Sequence, residues 1–182
     1  MVSPCRGGKI YVTAGLVVQM SNERQLAAVL AHETVHVAAM DSVNGLERQL
    51  GTEILIEVAG AAAGESGQTT RAVGQVVGGM VNMKYSRNQE TRADVVGVDY
   101  MVKANYNPWG MVELLELLDS MSQSGSGGFG ELFSSHPSTS RRVDDAKDVI
   151  RKEYKEFSRE TPDPRGAQFT QMRRLLEAEM KK

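Results

Sequence analysis

A weakly polar stretch, LAAVLAHETVHVAAM (26–40), carries two histidines and a glutamate on a pattern that otherwise belongs in a core. Burying such groups costs free energy unless they are hydrogen-bonded, paired or bound to a metal. The helix that holds them has clear signals. Asn22 with Gln25 three residues on is a capping-box-like start, Glu23 suits the first turn, and Leu26, Val29, Leu30, Val37 and Met40 form an apolar stripe. Asp41, Ser42, Asn44 and Gly45 supply the stop after about Met40. His32 and His36, four residues apart, lie on one face and can aim ring nitrogens at one ion. Glu33 sits about 100° round from His32, within reach of a water at that ion but poorly placed as a ligand. Two histidines with a carboxylate beside them in the order His-Glu-x-x-His is the arrangement of zinc sites that activate water. The competing possibility is a helix with two hydrogen-bonded histidines and no metal, in a purely structural domain.

A catalytic zinc takes three protein ligands and keeps a fourth position open. No third histidine follows close behind His36, so the candidates are acids. Glu90 and Asp94, in NQETRAD, are spaced i, i+4 and share one face of a second helix. One can ligate while the other accepts a hydrogen bond from the far nitrogen of a ligating histidine. Taken alone, they also read as surface acids paired with Arg87 or Arg92. His136, in SSHP, follows the Gly/Ser-rich stretch 122–130 and precedes a helix. It can donate to a developing oxyanion, swing onto the metal and close the open position, or cap the helix. Tyr85 is a weaker candidate donor. Cys5, alone and far from the histidines, reads as an ordinary near-terminal residue rather than a ligand.

The 182 residues suffice for one domain with a real core. A net charge of −2 gives no electrostatic reason to expect nucleic acid or an anionic membrane as partner. The longest weakly polar run, ILIEVAGAAAG (54–64), is too short to span a bilayer and contains Glu57. One cysteine excludes an internal disulfide. A strand is predicted over Lys9–Thr13, with a turn at Gly15; an exposed edge strand there can pair with an extended substrate backbone. Residues 46–84 read as Gly- and Ala-rich helix broken at GESGQTT (64–70). Further helices are predicted from Ser86 to about Ala104, over 111–121 after Pro108, from Thr139 or Ser140 to Phe157, and in the tail after TPDPRG (161–166). The fold class is α+β, mostly helical, with a small antiparallel β-sheet beside the His-Glu-x-x-His helix. No secretory signal is visible, and the opening reads like the middle of an element, as in a chain truncated at its N-terminus.

The segments AHETVHV (31–37), YSRNQETRADVVGVDYM (85–101) and SSHPSTSRRVDDA (134–146), in that order, resemble the M48 family of zinc metallopeptidases, the group of the Ste24 and Oma1 proteases and of soluble or periplasmic bacterial members. The resemblance implies a zincin-like fold and a zinc endopeptidase with one ion per chain. It implies His32, His36 and Glu90 as ligands, Glu33 as general base and Asp94 as the partner of a ligating histidine. Arg142 matches the arginine that follows His-Pro in the family and is a second candidate oxyanion donor after His136; Arg141 reads as its solvent-facing neighbour. The family often has Glu where this chain has Arg92, a position that faces away from Glu90 and Asp94, so metal binding is expected to survive. Members usually carry more chain upstream. Residues 1–182 are expected to form a single metallopeptidase domain, with a catalytic core over 1–150 and a helical tail over 151–182. The implied partner is a peptide or unfolded protein, and the implied location is the bacterial cell envelope or periplasm. The alternative is a latched or inactive zinc-containing module that holds peptides as a chaperone does; the intact Glu33 argues against it.

Overall fold

The computed structural model describes residues 2–5, 9–41, 44–45, 84–124, 128–137, 140–162 and 166–182. The helices predicted within 46–83, with their break at 64–70, lie outside the described residues, as does the side chain of Cys5. Two strands, β1 (Val2–Cys5) and β2 (Lys9–Val12), pair antiparallel with Val2 opposite Val12 and Cys5 opposite Lys9. Among the described residues no strand lies on the other edge of β2.

The predicted strand stops at Val12 because Thr13 caps a short helix, α1 (Ala14–Gln19), where the sequence reading placed only a turn at Gly15. Leu16, Val17 and Met20 all enter the core, and their i, i+1, i+4 spacing is met by a helix and not by a strand. Helix α2 (Glu23–Ala38) starts as read, with Asn22 Oδ1 accepting from the Gln25 amide at 3.1 Å. Its stripe is corrected. Leu30 is 40% exposed and Met40 63%, while Ala28, Val29, Ala31 and Val35 are buried together with His32, Glu33 and His36. The small residues Ala28 and Ala31 let neighbouring helices approach, and that approach decides which face is covered.

Helix α3 (Arg87–Lys103) opens with a full capping box between Ser86 and Gln89. Helix α4 (Trp109–Gln123) follows, then α5 (Gly130–Ser135), a single turn and a half that composition alone did not suggest. Helix α6 (Ser140–Glu153) ends four residues short of the predicted Phe157. Beyond it the chain bends back, so that Tyr154 donates to Asp99 Oδ1 at 3.1 Å and the Phe157 carbonyl accepts from Trp109 Nε1 at 3.1 Å. Helix α7 (Gly166–Glu179) lays Phe169 into the core and donates from Arg173 Nη1 to the Met20 carbonyl at 3.0 Å.

Helix α2 is central: α3 and α4 pack on it, and α6 covers α3 and α4. Met20, Met101, Met111, Leu115 and Ile150 are fully buried between them, each contributing on the order of 1.5–3 kcal/mol by burial. Gly110 makes the start of α4 possible, since a Cβ there would lie 2.5 Å from the Arg24 carbonyl oxygen. The adjoining Arg24–Glu113 pair, at 2.6 and 2.9 Å, locks the same corner. None of the described helices is long and apolar enough to cross a membrane.

Candidate metal centre

Helices α2 and α3 bring His32, His36 and Glu90 together, and the C-terminal cap of α5 adds His136. His32 Nε2 lies 3.0 Å from His36 Nε2, and His36 Nε2 lies 3.2 Å from Glu90 Oε1. Glu90 Oε1 is 3.0 Å from His136 Nδ1, which is 3.4 Å from His32 Nε2. One ligand atom from each residue falls within 4.8 Å of all the others. Four donors held tetrahedrally at zinc distances stand about 3.3 Å apart, so these contacts have the edge length of a zinc cage. The donor types, imidazole nitrogen and carboxylate oxygen, suit the same ion.

The orphan atoms agree. Oε2 of Glu33 and Oε2 of Glu90 are buried without a hydrogen-bond partner among the described residues. Arg142 Nη1 comes within 2.7 Å of Glu90 Oε2, but as an ion pair out of hydrogen-bond alignment. The guanidinium serves the Glu90 oxygen, whereas the buried Glu33 oxygen is costly unless a cation or water serves it. The residues present therefore fit a small divalent cation.

The outer nitrogens of both α2 histidines are occupied. His32 Nδ1 meets Asp94 Oδ1 at 2.9 Å and His36 Nδ1 meets Asp41 Oδ2 at 2.9 Å. With protons assigned to these Nδ1 atoms, both Nε2 lone pairs face the centre. Burial alone would raise the carboxyl pKa values here, but the surrounding donors outweigh it. Glu90 is held well below the ordinary carboxylate range by His136 and His36, and Asp94 is lowered by Arg142 and His32. Burial disfavours charge on His36, yet its bonds to Glu90 and Asp41 raise its pKa above the usual imidazole value.

Arg142, read as a candidate oxyanion donor, is engaged elsewhere. Its Nε and Nη2 donate to the two Asp94 oxygens at 2.7 and 2.8 Å, and Nη1 donates to the Pro137 carbonyl at 3.1 Å. It braces the carboxylates behind the centre and the loop that carries His136. Tyr85 lies with its ring stacked on His36, centroids 4.0 Å apart. Arg141 faces solvent. His136 Nε2 stands 3.6 Å from Glu33 Oε1. The cavity beside Glu33 and His136, walled by Val29, Leu115 and Leu132, measures about 30 Å³, room for about one water and not for a peptide side chain.

Asp41 escaped the sequence reading, which placed it only in the helix stop. Arg92, expected to face away from Glu90 and Asp94, reaches Asp41. The one available signal was a carboxylate five residues after the second histidine.

Residues 3–150 match the model of Peptidase family M48. The chain is 30% identical over 144 residues to Metalloprotease YcaL of Escherichia coli K12, covering 79% of this chain and 55% of that protein. It is 31% identical over 137 residues to Mitochondrial metalloendopeptidase OMA1 of Schizosaccharomyces pombe, covering 75% and 40%. It is 28% identical over 152 residues to Beta-barrel assembly-enhancing protease of Yersinia pestis, covering 78% and 30%. The chain belongs to Peptidase family M48, and the first two of these relatives are metallopeptidases by name. It spans about half, or less, of the length of these relatives.

Proposed function

We propose that this chain is a zinc-dependent endopeptidase domain acting on peptides or unfolded protein, with His32, His36 and Glu90 holding one zinc ion and Glu33 as general base. The carrying observation is the set of donor contacts at 3.0–3.4 Å, closing on one point beside a buried glutamate. Zinc, when bound, supplies Lewis acidity that lowers the pKa of water toward ~7. Glu33 takes the proton of the attacking water and returns it to the leaving amine; its Oε1 lies 3.6 Å from His136 Nε2, beside the donor set. Asp94 keeps His32 in the tautomer that presents Nε2, and Arg142 acts as a positioning residue through Asp94 and Glu90.

His136 supports a closed form. Its Nδ1 takes the fourth corner, which a substrate needs open, and the adjoining cavity admits only about a water. Withdrawal of His136 with α5 is then the opening step. The same contact favours the second reading, a latched peptide-holding module that carries zinc and does not cleave.

The edge of β2 that pairs with no strand among the described residues suits pairing with an extended substrate, and the β1–β2 ribbon stands for the small sheet of a zincin-like fold. Residues 1–182 act as one unit, with 1–150 as catalytic core and 151–182 as a tail docked through Phe169 and Arg173. A bacterial envelope setting, with a role in protein quality control, is supported by the name of the relative that enhances β-barrel assembly.

Protein purified without chelator should carry one zinc per chain by elemental analysis and cleave casein, and Glu33→Gln should keep the zinc and lose cleavage. Absence of zinc, or undiminished cleavage by Glu33→Gln, overturns the proposal. Zinc binding without cleavage, unchanged by His136→Ala, establishes the peptide-holding module instead.

A further inference from the structure

The backbone leaves α2 through Met40, whose φ of 53° is left-handed. For a residue other than glycine this costs on the order of 1–2 kcal/mol. Had the helix continued, position 41 would stand about 140° round from His36, facing elsewhere. The turn instead folds Asp41 back beneath His36, buried, with Oδ2 at 2.9 Å from Nδ1. Strain of this kind, held in place by surrounding contacts, points to a task at the strained position.

Two further side chains fix that carboxylate. Gln89 Nε2 donates to Asp41 Oδ1 at 2.8 Å, and Arg92 Nη2 donates to Oδ1 and Oδ2 at 2.7 and 2.5 Å. Gln89 is itself held by the α3 capping box, its Oε1 accepting from Ser86 N and Oγ at 2.9 and 2.8 Å. Arg92 is only partly covered, its side chain 45% exposed, yet it supplies the positive charge against a buried negative one. The layout repeats that of the other histidine: His32 leans on Asp94 and Asp94 on Arg142, while His36 leans on Asp41 and Asp41 on Arg92.

We infer that Asp41 and Arg92 are positioning residues that fix the tautomer and aim of His36 and so tighten metal binding at this site. The inference rests on the reading of His36 as a ligand. Asp41 accepts a hydrogen bond from Nδ1–H, which leaves the Nε2 lone pair free to face the centre, and Arg92 holds the carboxylate in the orientation that does so.

The test uses the intact chain, with zinc affinity measured by competition against a chromogenic chelator and the visible spectrum recorded after cobalt substitution. Asp41→Ala should weaken zinc binding about tenfold to a hundredfold. Asp41→Asn should lose less, because an amide oxygen still accepts from Nδ1. Arg92→Ala, exposed enough to leave folding intact, should weaken binding by a smaller factor, and Arg92→Lys should recover part of it. The Asp41→Ala and Arg92→Ala effects should be non-additive. Both variants should shift the cobalt bands; Asp41→Ala, which removes a buried bonded carboxylate, should also lower the metal-free melting temperature, while Arg92→Ala should leave it near that of the parent. Unchanged affinity and spectrum in both variants, or an Arg92→Ala affinity loss that merely follows a fall in metal-free melting temperature, overturns the inference. A parent chain that binds no zinc overturns it together with the ligand reading; a parent that binds zinc beside unaffected variants overturns it alone.

Discussion

Asp94 grips His32 on one side and is itself gripped by Arg142 on the other: Oδ1 lies 2.9 Å from His32 Nδ1, while both oxygens accept from the guanidinium at 2.7 and 2.8 Å. One buried carboxylate thus serves both the metal centre and the packing of α6 on α3. Removing it should be felt twice. Asp94→Ala should lower zinc affinity about tenfold to a hundredfold. It should also lower the unfolding free energy of the metal-free chain by about 3 kcal/mol, because a buried guanidinium loses its main partner. Chelator competition and urea denaturation measure the two effects separately.

Glu33 is buried, and among the described residues nothing hydrogen-bonds to its Oε2. Glu33→Gln keeps the volume and removes the base. Peptide cleavage should fall by about 10²–10⁴-fold with zinc content unchanged, as read by a fluorogenic peptide assay beside metal analysis.

The pH dependence of the metal-free chain has two limbs of opposite sign. Asp94, Asp41 and Glu90 have pKa values below their ordinary 3.8, 3.8 and 4.5 in the fold. The stability they contribute is present above those ordinary values and is lost as pH falls through the lower folded ones. His36 is raised above 6.5, so its contribution is complete below 6.5 and is lost as pH rises through the folded value. Melting temperature in chelator should therefore pass through a maximum in mildly acidic solution and fall on either side, and Asp94→Asn should flatten the acid limb. Zinc binding should weaken as pH falls, beginning above 6.5, because protons compete for His36.

His136→Ala should empty the fourth corner of the donor cage. Cleavage of a short peptide should then rise with zinc retained. A fall in rate with unchanged zinc content would make His136 a donor to the reacting carbonyl instead of a latch, and steady-state kinetics distinguishes the two.

Two buried glycines test the packing that carries the site. A Cβ at Gly110 would meet the backbone of Arg24 at 2.5 Å, whereas one at Gly97 would meet the mobile end of Met111 at 2.8 Å. Gly110→Ala should cost about 1–3 kcal/mol by overpacking, and Gly97→Ala less, since Met111 can turn aside. Thermal melts of the two variants rank them directly.

What could be read beforehand was whatever local spacing decides. His32 with His36, and Glu90 with Asp94, share faces because each pair sits i, i+4 on one helix, and no tertiary knowledge is needed for that. Asp41 could not be read, because its position depends on a left-handed residue at Met40 that a helical projection does not anticipate. The partners of Arg142 could not be read for a different reason: they come from α3 and from Pro137, and sequence distance says nothing about which of them it meets. Helix α1 was hidden by Gly15, which reads as a turn until the burial of Leu16, Val17 and Met20 is known.

The opening turns of α3 carry more than one duty per turn. Gln89 and Arg92 reach Asp41, Glu90 faces the imidazoles, and Asp94 backs His32. A slip of one residue rotates all four by 100° and shifts them 1.5 Å along the axis. The centre therefore depends on the phase of a single helix, and an insertion or deletion between Asp94 and Gly97, which would turn these four side chains against the packed Gly97, Val98 and Met101, would scatter its parts together, beyond repair by any later exchange of side chains.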